Sequence, residues 1–358
     1  MSKALPSSSG YFRNAYADEF RLIETRFARI SAALFAVFLM TFPLYGGPFY
    51  VDLATQVFLA SIGALALMLL TGIAGQVSLG HSGLIAAGAF TVGILFKEYA
   101  LPFWITIPAA ALTGAFLGLI FGLPSLRLRG LYLAVSTLAL HFVVVYIGGE
   151  YETKRGFSTG ILVDPPIIFG WEVYSTEAWY FVLLAAAFVT LLICINLMRS
   201  RSGRAWRAIH ANETVAEALG INIAKYKLLV FVVSSSLTAV AGALFAYYRG
   251  FVSIEAFSLY LTIQYVAMII IGGMGSLLGA LLGAAFVTLF PYAIEGVMET
   301  VPGAQEFLGS IFAVNYAAFG LVMILFLVFE PLGLVGIWHR IRDYFILWPF
   351  RYRPVGSR

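Results

Sequence analysis

The stretch Thr71–Gly83 reads TGIAGQVSLGHSG and concentrates hydrogen-bonding side chains between two long apolar runs. Gln76, Ser78, His81 and Ser82 bring an amide, two hydroxyls and an imidazole together there. The chemistry open to such a set is hydrogen bonding. The groups could line a pathway or gate for a solute, or they could bond neighbouring helices in a tight contact. The individual residues fit the second reading, and the stretch as a whole fits the first. His141 adds a further imidazole in the middle of a later apolar run. An ionisable group within a membrane span is a functional candidate by default, although a neutral imidazole bonded across helices serves as well.

A second set lies in the polar stretch Arg199–Lys227, RSRSGRAWRAIHANETVAEALGINIAKYK. Residues 203–209 suit a short basic helix with Trp206 and Ile209 on one face. Asn212 suits the N-cap of a second short helix, Glu213 its first turn and Gly220 its closing C′ position. Val215, Ala216 and Leu219 share one face of that helix, and Glu217 leans away. A short helix with a small apolar face flanked by bases suits docking into a partner's groove; it equally suits lying on anionic lipid. His210 and His339 read as surface groups.

These sets need elements to hold them. The chain has 358 residues, 61% hydrophobic and only 11% charged, against about 25% charged in a soluble domain. Apolar runs fall at 30–46, 52–70, 82–97, 103–123, 131–148, 178–198, 227–248, 258–274, 277–297 and 309–330. Judged against the ~20 residues that a crossing needs, they predict an all-α polytopic membrane protein of about ten transmembrane helices. The alternation of a transmembrane β-barrel is lacking. A regular lipid-facing helix through residues 71–83 is disfavoured, because Gly72, Gly75, Gly80 and Gly83 loosen it and lipid leaves no partner for freed backbone groups. A broken helix or a re-entrant turn follows. A second glycine-rich junction, Ile271–Gly283 (IGGMGSLLGALLG), precedes a similar small-residue helix, and the pair hints at a weak parallel internal repeat.

Loop charges give the expected sidedness. A cytoplasmic leader (1–29), the loop with Arg127 and Arg129, the long loop 199–227 and a basic tail (336–358) fall inside, with both termini cytoplasmic. Asp52, the loop 149–176, the 249–257 connection and Glu299 and Glu306 fall outside, and the transmembrane domain runs from 30 to 335. Trp104, Trp171, Trp179, Tyr180, Trp338 and Trp348 read as anchors at the membrane interfaces. Cys194 reads as a small packed side chain. No charged residue falls in the middle of a run, and neither a G-x-x-x-x-G-K-[S/T] loop nor an H-E-x-x-H motif is present. The sequence therefore offers no catalytic residues, no metal ligands and no cofactor site, and uphill transport would draw its energy from another subunit.

Five stretches carry a family resemblance. They are LLTGIAGQVSLGHSGLIAAGAF (69–90), LRLRGLYLAVSTLAL (126–140), the segment 203–257 opening GRAWRAIHANETVAEALGI, IGGMGSLLGALLGA (271–284) and EPLGLVGIW (330–338). Together the chain resembles the permease subunits of binding-protein-dependent ABC importers for branched-chain (hydrophobic) amino acids. The resemblance implies a pore-forming subunit in a bacterial cytoplasmic (inner) membrane. It would work with a second permease subunit as a heterodimer, two ATP-binding subunits that use the ATP, and a periplasmic or lipid-anchored solute-binding protein. The family's E-A-A-type loop maps to Glu217–Gly220, so Arg204, Arg207, Glu213, Glu217, Ala218 and Gly220 become candidates for coupling to the ATPase. The chain departs from many relatives at KRGFSTGI (154–161), where they show T-G-G-x-x-G, and at Phe142, where they tend to have Glu. The rival readings are a same-family permease for urea, short amides or small carboxylates, a stand-alone secondary carrier and, more weakly, a membrane enzyme.

Overall fold

The computed structural model describes residues 26–126, 130–157, 160–168, 170–300, 311–330 and 332–347. Each of the ten apolar runs becomes one helix. These are α1 Arg26–Tyr45, α2 Pro48–Leu67, α3 His81–Tyr99, α4 Phe103–Ser125, α5 Leu131–Arg155, α6 Thr176–Arg199, α9 Ile223–Arg249, α10 Leu259–Gly272, α11 Leu277–Thr300 and α12 Ile311–Phe329. The polar loop folds into α7 Arg201–Ala211 and α8 Glu213–Ala218, and α13 Gly333–Leu347 follows α12. The expected boundary between membrane domain and tail at 335/336 falls inside α13, whose Val335 is buried. The loops with Arg127, Arg129 and Glu306, the residues before 26 and those after 347 lie outside the described residues.

Six of the described helices are long and apolar enough to cross a membrane. A seventh crossing results if residues 313–329 and 333–341, bent by 54° at their break, form one span. Helix α10 has 14 residues, short of the ~20 of a full crossing. The fold is all-α and polytopic, and six or seven of its described helices reach the length and hydropathy of a full crossing.

The helix ends sort to two faces. On one, β1 (Ile161–Leu162) pairs antiparallel with β4 (Phe251–Val252), which joins the loop after α5 to the loop after α9. A second minimal pair, β2 (Ile167–Ile168) and β3 (Trp171–Glu172), lies in the same loop. Glu98 at the end of α3 pairs with Arg155 at 2.8 Å and accepts the Tyr151 hydroxyl at 2.7 Å, so the end of α3 joins this strand face. The opposite, junction face gathers the end of α2, the start of α3, α7, α8 and the α10–α11 and α12–α13 connections.

Glycine sets how closely the helices pack. A Cβ on Gly88 of α3 would sit 1.9 Å from the Ala239 carbonyl oxygen of α9, and one on Gly242 of α9 would sit 1.9 Å from the Ile85 carbonyl oxygen of α3. The two helices therefore touch backbone to backbone, twice and reciprocally. Helices α10 and α11 repeat the arrangement, with Gly283 against the Met268 carbonyl at 1.8 Å by the same measure. Lipid tails are as apolar as Leu, so close van der Waals packing of this kind drives helix association.

Two expected interface anchors prove to be core. Trp179 is buried and edge-on to the Tyr248 ring; Tyr180 is fully buried and donates its hydroxyl to the Leu39 carbonyl at 2.7 Å. An aromatic at a helix end packs inward when a neighbouring helix supplies a ring and an acceptor. Trp104 and Trp338 remain exposed, and Cys194 is buried.

Gly242→Ala should destabilise the protein by about 1–3 kcal/mol, the usual range for overpacking. A fall of several degrees in the Tm of the detergent-purified protein would register it. Gly320→Ala, whose Cβ meets nothing within 4 Å, should be neutral or gain up to about 1 kcal/mol. Equal Tm values for the two variants would refute the backbone-contact reading.

Candidate functional site

Helix α2 does not end cleanly. Residues Met68–Ile73 widen into a π-helical turn, and the chain then runs irregularly to the start of α3 at His81. A π turn inside a helix often marks a functional site. Here the amide of Ala74 reaches back to the Leu69 carbonyl and that of Gln76 to the Leu70 carbonyl. Gly75 then reverses the chain at φ +70°, a conformation that L side chains rarely adopt. The broken helix expected at 71–83 is therefore built from a π turn and a left-handed glycine.

The polar side chains of the stretch are buried between helices. Gln76 donates to the Lys227 carbonyl of α9 at 3.3 Å. The Leu79 amide donates to Thr137 Oγ1 of α5 at 2.9 Å. The Ser82 amide donates to Thr262 Oγ1 of α10 at 3.0 Å, and Thr262 returns its own hydroxyl hydrogen to Ser82 Oγ at 2.8 Å. The Ser82 hydroxyl hydrogen is then free to point at His141 Nδ1, 2.9 Å away. With His141 Nδ1 as acceptor the chain of bonds joins α3, α5 and α10 in one polar seam, beside which Gln76 Oε1 and His81 Nε2 are buried without a hydrogen-bond partner among the described residues. The His81 ring packs on the Tyr265 ring at 4.6 Å between centroids, and Ser78 is buried nearby in sequence. Neither of the two described cavities is lined by Gln76, Ser78, His81, Ser82 or His141.

The helix pair of the polar loop sits beneath this stretch. Ser200 caps α7 and Asn212 caps α8, each accepting a backbone amide within the first turn. The Gly220 amide donates to the Glu217 carbonyl and the Ile221 amide to the Ala216 carbonyl, closing α8 with Gly220 at φ +81°. Trp206 is fully buried and donates Nε1–H to the Tyr226 carbonyl at 2.9 Å. Lys227, itself buried, forms an ion pair with Glu213 and ties α8 to the start of α9.

The coupling candidates divide by contact. Arg204 and Arg207 turn back onto backbone carbonyls of the α6–α7 corner, at Arg199 (3.0 Å) and Met198 (2.8 Å). Cations suit the exposed carbonyls of a helix C-terminus. Glu217, Ala218 and Gly220 are exposed. Of the expected apolar face only Ala216 is buried; Val215 is 54% and Leu219 75% exposed. Glu213, Glu217, Gly220 and Lys227 border an open cavity of about 570 Å³ between α8 and α9.

A second cavity, about 590 Å³, lies where α7 meets both glycine-rich junctions. Arg207, His210, Gly72, Gly75 and Val77 line it, together with Met274 and Gly275 of the second junction. The junctions touch directly. The Gly275 amide donates to Met68 Sδ at 3.3 Å, and a Cβ on Gly72 would sit 3.0 Å from the Gly275 nitrogen. Composition and spacing single out each junction but not this meeting, nor Thr137, Thr262 and Met68, which lie in runs where nothing distinguishes them from packing residues. His210 is exposed as expected, yet its Nδ1 lies 3.1 Å from the Ile73 carbonyl.

Residues 49–329 match the family model described as "Branched-chain amino acid transport system / permease component". The chain is 30% identical over 309 residues to the High-affinity branched-chain amino acid transport system permease protein LivM of Salmonella typhimurium, across 80% of this chain and 69% of that one. It is 28% identical to the Probable branched-chain amino acid transport permease protein LivM of Methanocaldococcus jannaschii, across 64% of this chain and 67% of the relative. The Autoinducer 2 import system permease protein LsrC of an Enterobacter species is 30% identical, across 64% and 66%. With its bundle of apolar helices, its two abutting glycine junctions and the capped helix pair beneath them, this chain belongs to the family of permease components of branched-chain amino acid transport systems.

Proposed function

We propose that the chain forms half of the membrane pathway of an importer for branched-chain or related hydrophobic amino acids, with a second permease subunit as the other half. In this reading two separate ATP-binding subunits supply the energy and an external solute-binding protein delivers the solute. The observation that carries it is the α7–α8 pair: a capped, partly exposed unit whose α7 meets both glycine junctions, with Val215 and Leu219 of α8 turned to solvent. An exposed apolar pair on a short helix suits a groove in a partner. Movement of α8 would pass through α7 to the junctions, and the helices meeting there would re-pack to alternate the access of the path. Gln76, Ser78, His81, Ser82 and His141 would then act as a gate seam that parts, rather than as an open wall. No catalytic role is assigned to any residue.

Charge supports an orientation. Near the junction face lie Arg199, Arg201, Arg204, Arg207, Lys225, Lys227 and Arg340, against Glu213, Glu217 and Glu330. Near the strand face lie Asp52, Glu98, Glu150, Glu152, Asp164, Glu172, Glu177 and Glu255, against Lys97, Lys154, Arg155 and Arg249. Basic excess marks the cytoplasmic side, so the junction face is inside and the strand face receives the binding protein. Ten alternating segments with both termini inside agree with this sidedness, with α10 as a short segment.

Three outcomes test the reading. In vesicles holding both permeases, the ATPase subunits and the binding protein, uptake of leucine, isoleucine or valine should require ATP. Ion-gradient-driven uptake by this chain alone would select the secondary carrier instead, and preference for urea, a short amide or a small carboxylate would move the substrate class. Glu217→Lys and Gly220→Val should each lower uptake per ATP hydrolysed about tenfold, within the range of allosteric coupling. Valine at φ +81° also costs roughly 1–2 kcal/mol of local strain. Unchanged uptake, together with unchanged co-purification of the ATPase, would remove α8 as the docking element. In a Cys194→Ser background, an impermeant thiol reagent should label Tyr174→Cys in spheroplasts but Leu219→Cys only after lysis; the reverse pattern would invert the orientation.

A further inference from the structure

We propose that His210 is a positioning residue that carries the movement of the loop helices to the π turn, and that Gly75 is the surface it bears on. The inference rests on the coupling reading above and adds the residue through which force passes. His210 lies in the last turn of α7, two residues before the Asn212 cap that starts α8. Its Nδ1 is 3.1 Å from the Ile73 carbonyl oxygen. A carbonyl oxygen only accepts, so Nδ1 carries the hydrogen and donates it.

That carbonyl belongs to the last residue of the π turn. The amides of Ala74 and Gln76 are committed to Leu69 and Leu70, and beyond them the chain leaves the helix at Gly75. The last carbonyls of a helix require partners from outside it, and here a side chain of the loop helix supplies one. The imidazole also lies flush on the backbone at Gly75, where an added Cβ would approach Cδ2 to 2.7 Å. Glycine there serves twice, by allowing φ +70° and by leaving room for the ring.

The other ties of α7 run elsewhere. Trp206 fastens it to α9 through the Tyr226 carbonyl, and Arg207 fastens it to the end of α6. His210 makes the bond from α7 to the π turn, and the π turn touches the second junction through Gly72 and Met68. A shift of α8 tilts the C-terminal turn of α7 first, so the imidazole is the group that pulls on the α2–α3 break.

The test uses the full reconstituted complex and reads amino-acid uptake per ATP hydrolysed. His210→Ala should lower this ratio about fivefold or more, the low end of allosteric coupling. His210→Asn, whose amide nitrogen stands where Nδ1 stood, should restore most of it; His210→Gln, with its donor one methylene further out, should not. Gly75→Ala should lower the ratio in the wild-type background and lower it less when His210 is already alanine, the non-additivity of groups in contact. A wild-type ratio in His210→Ala, a proportional loss of uptake and hydrolysis, or equal behaviour of the Asn and Gln variants would overturn the proposal. Should His210→Ala fail to fold, the Asn-against-Gln comparison and Gly75→Ala decide it. If Glu217→Lys uncouples the complex while His210→Ala does not, the relay fails and the coupling reading stands. If uptake needs no ATPase, the coupling reading fails as well.

Discussion

Direct backbone contact between helices, made possible by glycine, is the constraint from which the rest of this molecule follows. Between lipid tails and side chains there is little hydrophobic contrast, so helices hold together by touching closely over long lines. Gly88 and Gly242 lock α3 to α9, and Gly272 and Gly283 lock α10 to α11. These pairs fix the starts of α3 and α11, and with them the two junctions that precede those helices. Only because both junctions are held at backbone distance can Gly72 and Gly275 meet and Met68 accept an amide across them. A methyl on Gly72 would crowd both the Gly275 nitrogen and Met68 Sδ, the two atoms of that contact.

The polar seam depends on the same closeness. Ser82, Thr262 and His141 are short or rigid groups that reach one another because α3, α5 and α10 converge at Gly83, where a Cβ would stand 2.6 Å from the His141 Cα. Interhelical hydrogen bonds of this kind contribute only about 0.6 kcal/mol each on average. Their use is therefore to specify a register more than to add stability. Three helices that must align three hydrogen bonds in order can slide past one another in few ways.

Much of this architecture is legible in the residues themselves. Apolar length gave the ten helices to within a few residues at most ends, since twenty apolar residues in lipid have no alternative to a helix. Asn212 and Gly220 announced the bounds of α8 through local chemistry, a side-chain oxygen before the helix and a left-handed residue after it. What stayed hidden depends on contacts remote in sequence. Trp179 and Tyr180 carry the signature of interface anchors, and only the approach of Tyr248, Phe58 and the Leu39 carbonyl makes them core. Helix α10, at 14 residues, packs against α11, α2 and α12, and a segment sheltered by protein need not match the bilayer thickness. His210 looked like a loop side chain because its partner, the Ile73 carbonyl, lies 137 positions earlier.

The distribution of free space then bears on where motion can occur. Close-packed interiors transmit strain but do not absorb it. The glycine-locked pairs leave no room for their backbones to slide, and so each pair must move as a unit. Beyond the buried π turn the situation differs: the chain runs irregularly from Gly75 to Gly80, tied to α9 and α5 by single hydrogen bonds, and a cavity of about 590 Å³ opens beside it against Arg207 and His210. In the proposed coupling, a displacement entering at α8 would reach this irregular stretch between helix pairs that move as units, an arrangement in which small shifts become discrete changes of packing. The glycines thus do two opposite things within one fold. In the helices they remove freedom by bringing backbones into contact, and in the junctions they restore it by letting the chain turn.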